Sequence, residues 1–178
     1  MFYEPRKGNP FKIDPFKSLI FPRPIGWISS ISKNGEANLA PYSYFNAVAD
    51  EPPQVMFCSN GSSAYGKYKD TLSNVLSTNE FVVNFATSAT KNKMNISSGD
   101  FKPDEDEFFL SNLKKKKSKL VKPPSVRDSP VNLECKLVKI IKLKTDSKKI
   151  STMVIGEVIG IHINNNFIKN NRVDSVSM

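Results

Sequence analysis

The sequence predicts a mainly β protein: an antiparallel β-barrel with helices packed at its ends. Apolar runs typical of strands recur along the 178 residues, and we count about six of them. Turn residues separate them at spacings typical of hairpins, whereas only two short stretches have the periodicity of a helix. The sequence shows no internal repeat and no regular alternation of strands with helices. These observations favour an antiparallel barrel over a parallel α/β sheet.

The first two strands are predicted as a hairpin. Side chains in residues 25–32 alternate between two faces, and a second strand-like run follows in residues 37–48. Asn34 and Gly35 lie between these runs, and this dipeptide tolerates the positive φ angles of tight hairpin turns. Pro52 and Pro53 predict a corner, because proline cannot donate to a β-ladder.

The remaining elements follow from periodicity and from capping residues. Asp70 is a good N-cap, and the helix that it opens is expected to end at Asn79. In residues 131–143 the alternation shifts, which predicts a β-bulge. Strands are predicted in residues 55–58, 80–86, 131–143 and 152–163, and a weaker helix in residues 87–98.

Residues 99–128 look like the least ordered part of the chain. An acidic stretch is followed by Lys114–Lys117 and Lys119, which supply five of the positive charges behind the net charge of +9. The simplest interpretation is a solvated loop, and the alternative is a patch for polyanions. A nucleic-acid-binding barrel would interleave stacking aromatic residues with the lysines, whereas here the aromatic residues cluster elsewhere in the sequence. A long connection of this kind is often a functional lid.

The length indicates one domain, with residues 1–21 as an N-terminal arm and residues 22–178 as the barrel domain. The N-terminus lacks the apolar core of a secretory signal, and no apolar run is long enough to span a membrane. Cys58 and Cys135 lie far apart in strand-like contexts, so we expect free thiols. A cytoplasmic location is the resulting expectation.

Common catalytic signatures are missing from the sequence. It contains no P-loop, no nucleophile-elbow motif, no Cys-x-x-Cys and no dinucleotide fingerprint. His162 is the single histidine, so a site built on several histidines is excluded. A side-chain acid–base or metal mechanism is therefore not predicted, and no metal is expected.

Two stretches suggest a site for a polar ligand instead. At the predicted helix start, Lys69 and Thr71 add a charge and a hydroxyl to N–H groups that favour an anion. An ordinary N-cap is the alternative, although Ser59, Ser62 and Ser63 in the preceding loop favour a ligand. The second stretch has the mixture of aromatic and polar side chains that binds a planar heterocycle: Tyr42, Ser43, Tyr44, Phe45 and Asn46.

An ordered set of motifs resembles one known family. The motifs are PRPIGWISSIS, Asn-Gly, NLAPYSYFNAV, Pro-Pro, VMF, KDTLSN, EFVVN, SPVNLECKL and VIGEVIGIHI. In this order they resemble the flavin-reductase-like, FMN-binding split-barrel proteins, and in particular the flavoredoxin-type branch. The resemblance covers about residues 20–175. Family members commonly continue into an Arg-x-Gly-Gly segment, whereas this sequence ends at Met178.

The resemblance implies a six-stranded antiparallel split barrel, usually a homodimer with FMN near the subunit interface. The flavin ring would lie along residues 42–46, with Asn46 at its polar edge. Ser59 would face the ribityl chain, and His162 is a weak candidate for a residue near the flavin. The FMN phosphate would contact Ser29 or Ser30, Lys69 and Thr71.

The implied activity is that of an NAD(P)H-dependent flavin reductase, or electron transfer through a tightly bound FMN. In this chemistry the cofactor performs the redox step, which suits a chain without a catalytic constellation. A flavin carrier or electron-transfer protein without its own nicotinamide reaction is the alternative.

Overall fold

The computed structural model describes residues 1–146 and 149–178, and its main feature is a seven-stranded antiparallel sheet with the order β2-β1-β5-β8-β9-β4-β3. The strands are β1 (Gly26–Ile31), β2 (Ala37–Tyr42), β3 (Phe45–Asp50), β4 (Pro53–Asn60), β5 (Glu80–Asn84), β6 (Lys115–Lys116), β7 (Ser125–Val126), β8 (Val131–Lys142), β9 (Ser151–Ile163), β10 (Ile168–Lys169) and β11 (Arg172–Val173). The helices are α1 (Phe16–Leu19), α2 (Asp70–Thr78), α3 (Lys91–Ile96) and α4 (Glu107–Leu110). The described part of the chain also contains two short two-stranded sheets, β6–β7 and β10–β11. The mainly β prediction is confirmed.

Aromatic contacts across the barrel interior hold the two halves of the sheet together. The Tyr42 ring of β2 lies 4.9 Å from Phe57 of β4, and Phe57 lies 5.4 Å from Phe81 of β5. Because β2 and β4 are far apart in the strand order, these contacts curl the sheet into a barrel. Leu72 and Val75 of α2 join the same core and cover one end of it.

The predicted first hairpin is present, with a longer turn than the dipeptide suggested. Gly35 alone in this turn has a positive φ, of 92°. The Ser32 N–H donates to the Glu36 carbonyl at 2.8 Å, which closes a three-residue loop between the strands. This geometry needs one left-handed residue, so the predicted use of Asn34 in that conformation is wrong.

The second predicted strand, residues 37–48, is divided in two. β2 ends at Tyr42 and β3 begins at Phe45, and the break allows the chain to pass from one edge of the sheet to the other. At the break the Cys58 N–H donates to the Tyr44 carbonyl at 2.9 Å. This division explains why the main sheet has seven strands where six were expected.

Helix α2 starts one residue earlier than the sequence indicated. Lys69 occupies the N-cap position, and Asp70 is the first helical residue, so the assignment of Asp70 as N-cap is wrong. The predicted end is confirmed, because Asn79 adopts the left-handed conformation, with φ of 60°.

Residues 99–128 are well packed, contrary to the sequence interpretation. Phe108, Leu113 and Val126 pack with Trp27 and Leu39 in a second core on the outer face of β1 and β2. In β1 Trp27 faces this outer core and Ile28 faces the barrel interior, so the strand is apolar on both faces and its outer face needs a covering segment. The segment is anchored where the Ser29 hydroxyl donates to the Pro124 carbonyl.

Candidate functional site

A cleft of about 450 Å³ opens beside the end of β2. Its walls come from β2, from β4 and the loop after it, from the start of α2, and from the segment around Phe101. Five residues of the sequence-predicted site line this cleft: Tyr42, Ser43, Tyr44, Lys69 and Thr71. The two stretches singled out in the sequence therefore meet in one cleft, although Tyr42 and Thr71 are 29 residues apart in the chain.

One wall is built where the backbone breaks between β2 and β3. The Arg23 guanidinium donates to the Ser43 hydroxyl at 2.8 Å and lies 5.5 Å from the centre of the Tyr44 ring. These contacts fix two side chains that have no regular strand to hold them. The wall combines an aromatic face with hydroxyl groups, a combination that suits a planar ligand with a polar edge.

Two buried hydroxyls at this wall, those of Tyr42 and Ser59, lack a well-formed hydrogen bond among the described residues. The side chains of Thr71 and Ser59 nevertheless lie close enough to the Tyr42 hydroxyl to interact with it. Burial raises the pKa of Tyr42 to about 12, so its hydroxyl stays protonated and remains a donor. Tyr42 lines the cleft, whereas Ser59 is fully buried behind it. Buried polar groups normally have partners, so the Tyr42 hydroxyl is available as a donor to a molecule in the cleft.

The opposite pole of the cleft is the N-terminus of α2. No side chain caps this helix, so its first N–H groups are free of a side-chain acceptor. The Thr71 hydroxyl does not face an open space, because it donates to Asn38 Oδ1 at 2.7 Å. The backbone N–H groups and Lys69 are the groups that can meet an anion here.

Glu107 is a cleft residue that sequence reasoning missed. It is only 5% exposed, and it accepts hydrogen bonds from Asn38 Nδ2 at 2.6 Å and from the Leu39 N–H at 3.0 Å. Burial raises its pKa to about 7, against the opposing effect of these hydrogen bonds. Asp106 is the N-cap of α4, and that capping signal was the available clue to a structured turn.

Ser29 and Ser30 do not line the cleft and lie in a buried hydrogen-bond network. The Ser30 hydroxyl accepts from Asn74 Nδ2 at 3.1 Å and donates to Asn38 Oδ1 at 3.3 Å. Ser30 therefore contacts the cleft only indirectly, through Asn38, which lines it. Ser29 accepts from Asn84 Nδ2 at 3.0 Å and holds the covering segment instead.

Phe45 and Asn46 also lie outside this cleft. Phe45 packs over Gly26 and contributes to a separate apolar groove beside Met94. Asn46 is exposed on β3, and its Oδ1 accepts from the Ala47 N–H at 2.9 Å. Five of the six residues of this strand are exposed, so β3 presents an open edge of the sheet.

His162 lies away from the cleft and contacts Glu134. Glu134 is fully buried, and it also accepts from the N–H groups of Lys119, Leu120 and Val121. These hydrogen bonds lower the pKa of Glu134 against the effect of its desolvation. In this position His162 contacts the side chain that holds the lysine-rich segment, which contains Lys114–Lys117 and Lys119.

The described residues offer neither a metal site nor a membrane-spanning helix. Within residues 1–146 and 149–178, no group of three or more His, Cys, Asp or Glu side chains could hold a metal ion. In that same part of the chain, no helix has the length and apolar character needed to cross a membrane.

Solved structures with this fold define the class. Component B of nitrilotriacetate monooxygenase from Bacillus cereus has a TM-score of 0.89 and 29% identity, with 99% of this chain and 88% of that chain covered. A split-barrel-domain protein of Shewanella frigidimarina has a TM-score of 0.73 and 19% identity, covering 85% and 73%. Flavoredoxin from Methanosarcina acetivorans has a TM-score of 0.73 and 21% identity, covering 96% and 84%. The fold is therefore the split barrel that the motifs implied.

Sequence comparison identifies the family. The model of the flavin reductase like domain matches residues 18–174, and this chain belongs to that family. A protein of Aquifex aeolicus is 46% identical over 123 residues, which span 69% of this chain and 62% of its own length. The protein YwrF of Bacillus subtilis is 33% identical over 155 residues, or 84% of this chain and 74% of its own.

Proposed function

We propose that this protein is an FMN-binding oxidoreductase of the flavin-reductase type. The main support is one observation: the unpaired Tyr42 hydroxyl and the uncapped end of α2 with Lys69 lie in the same cleft. Hydroxyl groups suit the polar ring and ribityl chain of a flavin, and a helix N-terminus beside a lysine suits its phosphate. Family membership and the volume of the cleft agree with a ligand of this size.

The residues present fit FMN in a defined orientation. The ring would lie along the wall formed by Tyr42, Ser43 and Tyr44, and the phosphate would lie at Lys69 and the first N–H groups of α2. Ser59 is fully buried and does not line the cleft, so the predicted direct contact with the ribityl chain is not part of this proposal. Thr71 and Ser30 would act indirectly, since both hydrogen-bond Asn38 Oδ1.

When bound, FMN would supply the redox chemistry by accepting a hydride or electrons and passing them on. This chain's residues would bind and orient the ring, and they would exclude water from its inner edge. The Tyr42 hydroxyl would hold its proton throughout, because its pKa is about 12. NAD(P)H is the donor that this proposal assigns.

We also propose a homodimer, because part of the predicted ring site lies on an open edge. Phe45 and Asn46 follow the cleft residues directly, yet they lie on β3, whose surface is exposed. Exposed apolar side chains accompany it, including Val48 on the same strand and Phe16, Leu19 and Phe21 in the N-terminal arm. A second copy packed on this surface would bury them and enclose the flavin.

Light scattering on the purified protein should give twice the chain mass of 19.9 kDa, and a monomer at micromolar concentration would contradict this proposal.

A flavin carrier or electron-transfer protein is the second candidate. The observation that favours it is the size of the cleft, since about 450 Å³ suits one flavin better than a flavin and a nicotinamide dinucleotide together. Under this alternative, reduced flavin would be produced by a partner enzyme.

One absorbance experiment separates the two candidates. The purified protein is loaded with FMN, gel-filtered, and its flavin spectrum is recorded before and after addition of NADH or NADPH under anaerobic conditions. Bleaching near the flavin maximum, faster than with free FMN, is the result expected of a reductase. A bound flavin that only a chemical reductant bleaches would identify a carrier.

A further inference from the structure

The cleft proposed for FMN has an unusual charge for a phosphate site. Two lysines and three carboxylates line it: Lys17, Lys69, Asp70, Asp100 and Glu107. With all five ionised, the lining has a net negative charge, although a phosphate monoester near neutral pH is close to a dianion. Lys69 and the N–H groups of α2 favour the phosphate, and removal of one of the negative charges would reduce the repulsion that opposes FMN binding.

Glu107 is the carboxylate whose position best suits that change. Its 5% exposure makes it the most buried of the three, since Asp70 is half-buried and Asp100 is exposed. Its two oxygens already accept from Asn38 Nδ2 and from the Leu39 N–H. Both protein neighbours are donors, so a proton on Glu107 would need an acceptor from outside the protein.

Asn38 connects Glu107 with the anion pole of the cleft. Its Nδ2 donates to Glu107, and its Oδ1 accepts from the Thr71 hydroxyl at 2.7 Å. Thr71 is in the first turn of α2, whose N–H groups are the expected phosphate ligands. One side chain thus joins the carboxyl group to the place where an anion would lie.

We propose that Glu107 takes up one proton from solvent when the phosphate of FMN binds, and then donates its O–H to an acceptor oxygen of the ligand. This inference rests on the proposed FMN function. The carboxylate and a solvent proton form the neutral acid, and no other bond is made or broken. An anion that binds beside an ionised carboxylate is repelled, whereas a neutral carboxyl group becomes a donor to it.

The charged groups around Glu107 act in both directions, because Lys17 and Lys69 favour its ionised form whereas Asp70 and Asp100 favour the neutral acid. Every element against it contributes one or more: Tyr42 from β2, Lys69 and Asp70 from the start of α2, Asp100 from the preceding segment, Lys17 from α1, and Asp106 on α4 itself, which pairs with Lys115. Asp70 raises the pKa of Glu107 further, and burial is the larger cause. With a value of about 7, small changes in the cleft alter its protonation near neutral pH.

Calorimetry counts the proton directly in the wild-type protein. FMN is titrated into the apoprotein at pH 7.5 in two buffers of different ionisation enthalpy, and the buffer dependence of the heat gives protons taken up per flavin. Glu107 with a pKa of about 7 is already about one quarter protonated at pH 7.5, so we expect uptake of about 0.5 to 0.75 proton for FMN and close to none for riboflavin, which has no phosphate. FMN binding without proton uptake would overturn this inference while leaving the proposed function intact, and failure of any flavin to bind would overturn the proposed function itself.

A variant pair assigns the proton to Glu107. Glu107→Gln removes the titrating group, and Glu105→Gln is a matched control on the same segment at an exposed position. Above pH 7 the wild-type and control affinities for FMN should fall by up to about tenfold per pH unit, because the proton becomes harder to acquire. In Glu107→Gln the change between pH 7 and 8.5 should be under about twofold, with proton uptake lost. Uptake that persists in Glu107→Gln would place the proton on the phosphate and overturn the assignment. Equal proton uptake with riboflavin and with FMN would overturn the role of the phosphate. If Glu107→Gln fails to fold, the comparison of FMN with riboflavin in the wild-type protein still decides between these outcomes.

Discussion

The side-chain amide of Asn38 donates a hydrogen bond of 2.6 Å to the carboxylate of Glu107, 69 residues further along the chain. The same carboxylate accepts from the Leu39 N–H. Through these two contacts α4 is fastened to β2, and the segment 99–128 becomes part of the cleft wall. Loss of this acceptor would leave buried donors without a partner, which costs about 1 to 3 kcal/mol for each group.

Glu107 should make the stability of the apoprotein depend on pH. Its folded pKa of about 7 is raised above the ordinary value of 4.5, so its stabilising contribution is complete below pH 4.5 and is lost as the pH rises through 7. The loss should be on the order of 2 to 3 kcal/mol. We expect the difference in free energy of unfolding between wild type and Glu107→Gln to change across pH 4.5 to 8, as urea denaturation can measure. A difference that is constant over this range would contradict the assignment, and Glu105→Gln should track the wild type.

Tyr42→Phe should have opposite effects on stability and on ligand affinity. The substitution removes a buried hydroxyl that has no partner, so the apoprotein should be unchanged or more stable by up to about 1 kcal/mol. If that hydroxyl meets the flavin, the affinity for FMN and riboflavin should both fall by about three- to tenfold. Thermal melting and fluorescence titration provide the two readouts. A variant with reduced stability and unaltered flavin affinity would count against a ligand role for this hydroxyl.

Lys69→Gln should weaken binding of FMN selectively. Lys69 lines the cleft at the N-cap of α2, where a lost charge-assisted hydrogen bond is worth about 1.5 to 3 kcal/mol. Affinity for FMN should therefore fall by at least about tenfold, and affinity for riboflavin should remain within about twofold. Lys67→Gln is the matched control, since Lys67 is exposed in the same loop and does not line the cleft. Equal losses for FMN and riboflavin would show that the phosphate lies elsewhere.

Glu134→Gln should loosen the lysine-rich segment without emptying the cleft. Glu134 accepts three backbone N–H groups from residues 119–121, and an amide has only one oxygen to offer them. We expect faster amide hydrogen exchange and faster tryptic cleavage in residues 114–122, with flavin affinity retained. Glu36→Gln, at an exposed position, controls for the substitution. Unchanged exchange in this segment would mean that the anchor is unimportant.

Gly156→Ala should destabilise the barrel through a steric clash. An added Cβ would lie 2.4 Å from Cζ of Phe81, a fully buried side chain that contacts Phe57. Overpacking of this kind costs about 1 to 3 kcal/mol. Gly66→Ala is the control, because the nearest atom would be 3.7 Å away. Urea denaturation should show a lower midpoint for Gly156→Ala alone, and equal midpoints would indicate that Phe81 can move freely.

Much of the fold could be predicted because local signals and tertiary structure agree. Alternation identified β1, the shifted pattern in β8 matches register shifts after Glu134 and Leu137, and Asn79 ended α2 as expected. Composition singled out the two stretches separately, and the family resemblance implied that Tyr42 and Lys69 share one site, as their common cleft confirms.

What the sequence did not reveal depends on distant contacts. The burial of Glu107 is decided by donors on β2, and no local pattern distinguishes this acid from the exposed acids beside it. The placement of Ser29 and Ser30 away from the cleft has a similar cause. Alternation places neighbouring residues on opposite faces but does not tell which face a later segment will cover. His162 was considered only as a flavin residue, whereas a buried acid on the adjacent strand is its partner.

A fluorescence titration of FMN with the purified apoprotein measures directly whether the cleft binds a flavin. We expect saturable quenching of FMN emission with one flavin bound per chain, weakened by Lys69→Gln and unaffected by Lys67→Gln. Absence of saturable FMN binding to a folded wild-type protein, or binding that neither Tyr42→Phe nor Lys69→Gln alters, would contradict the proposed FMN site.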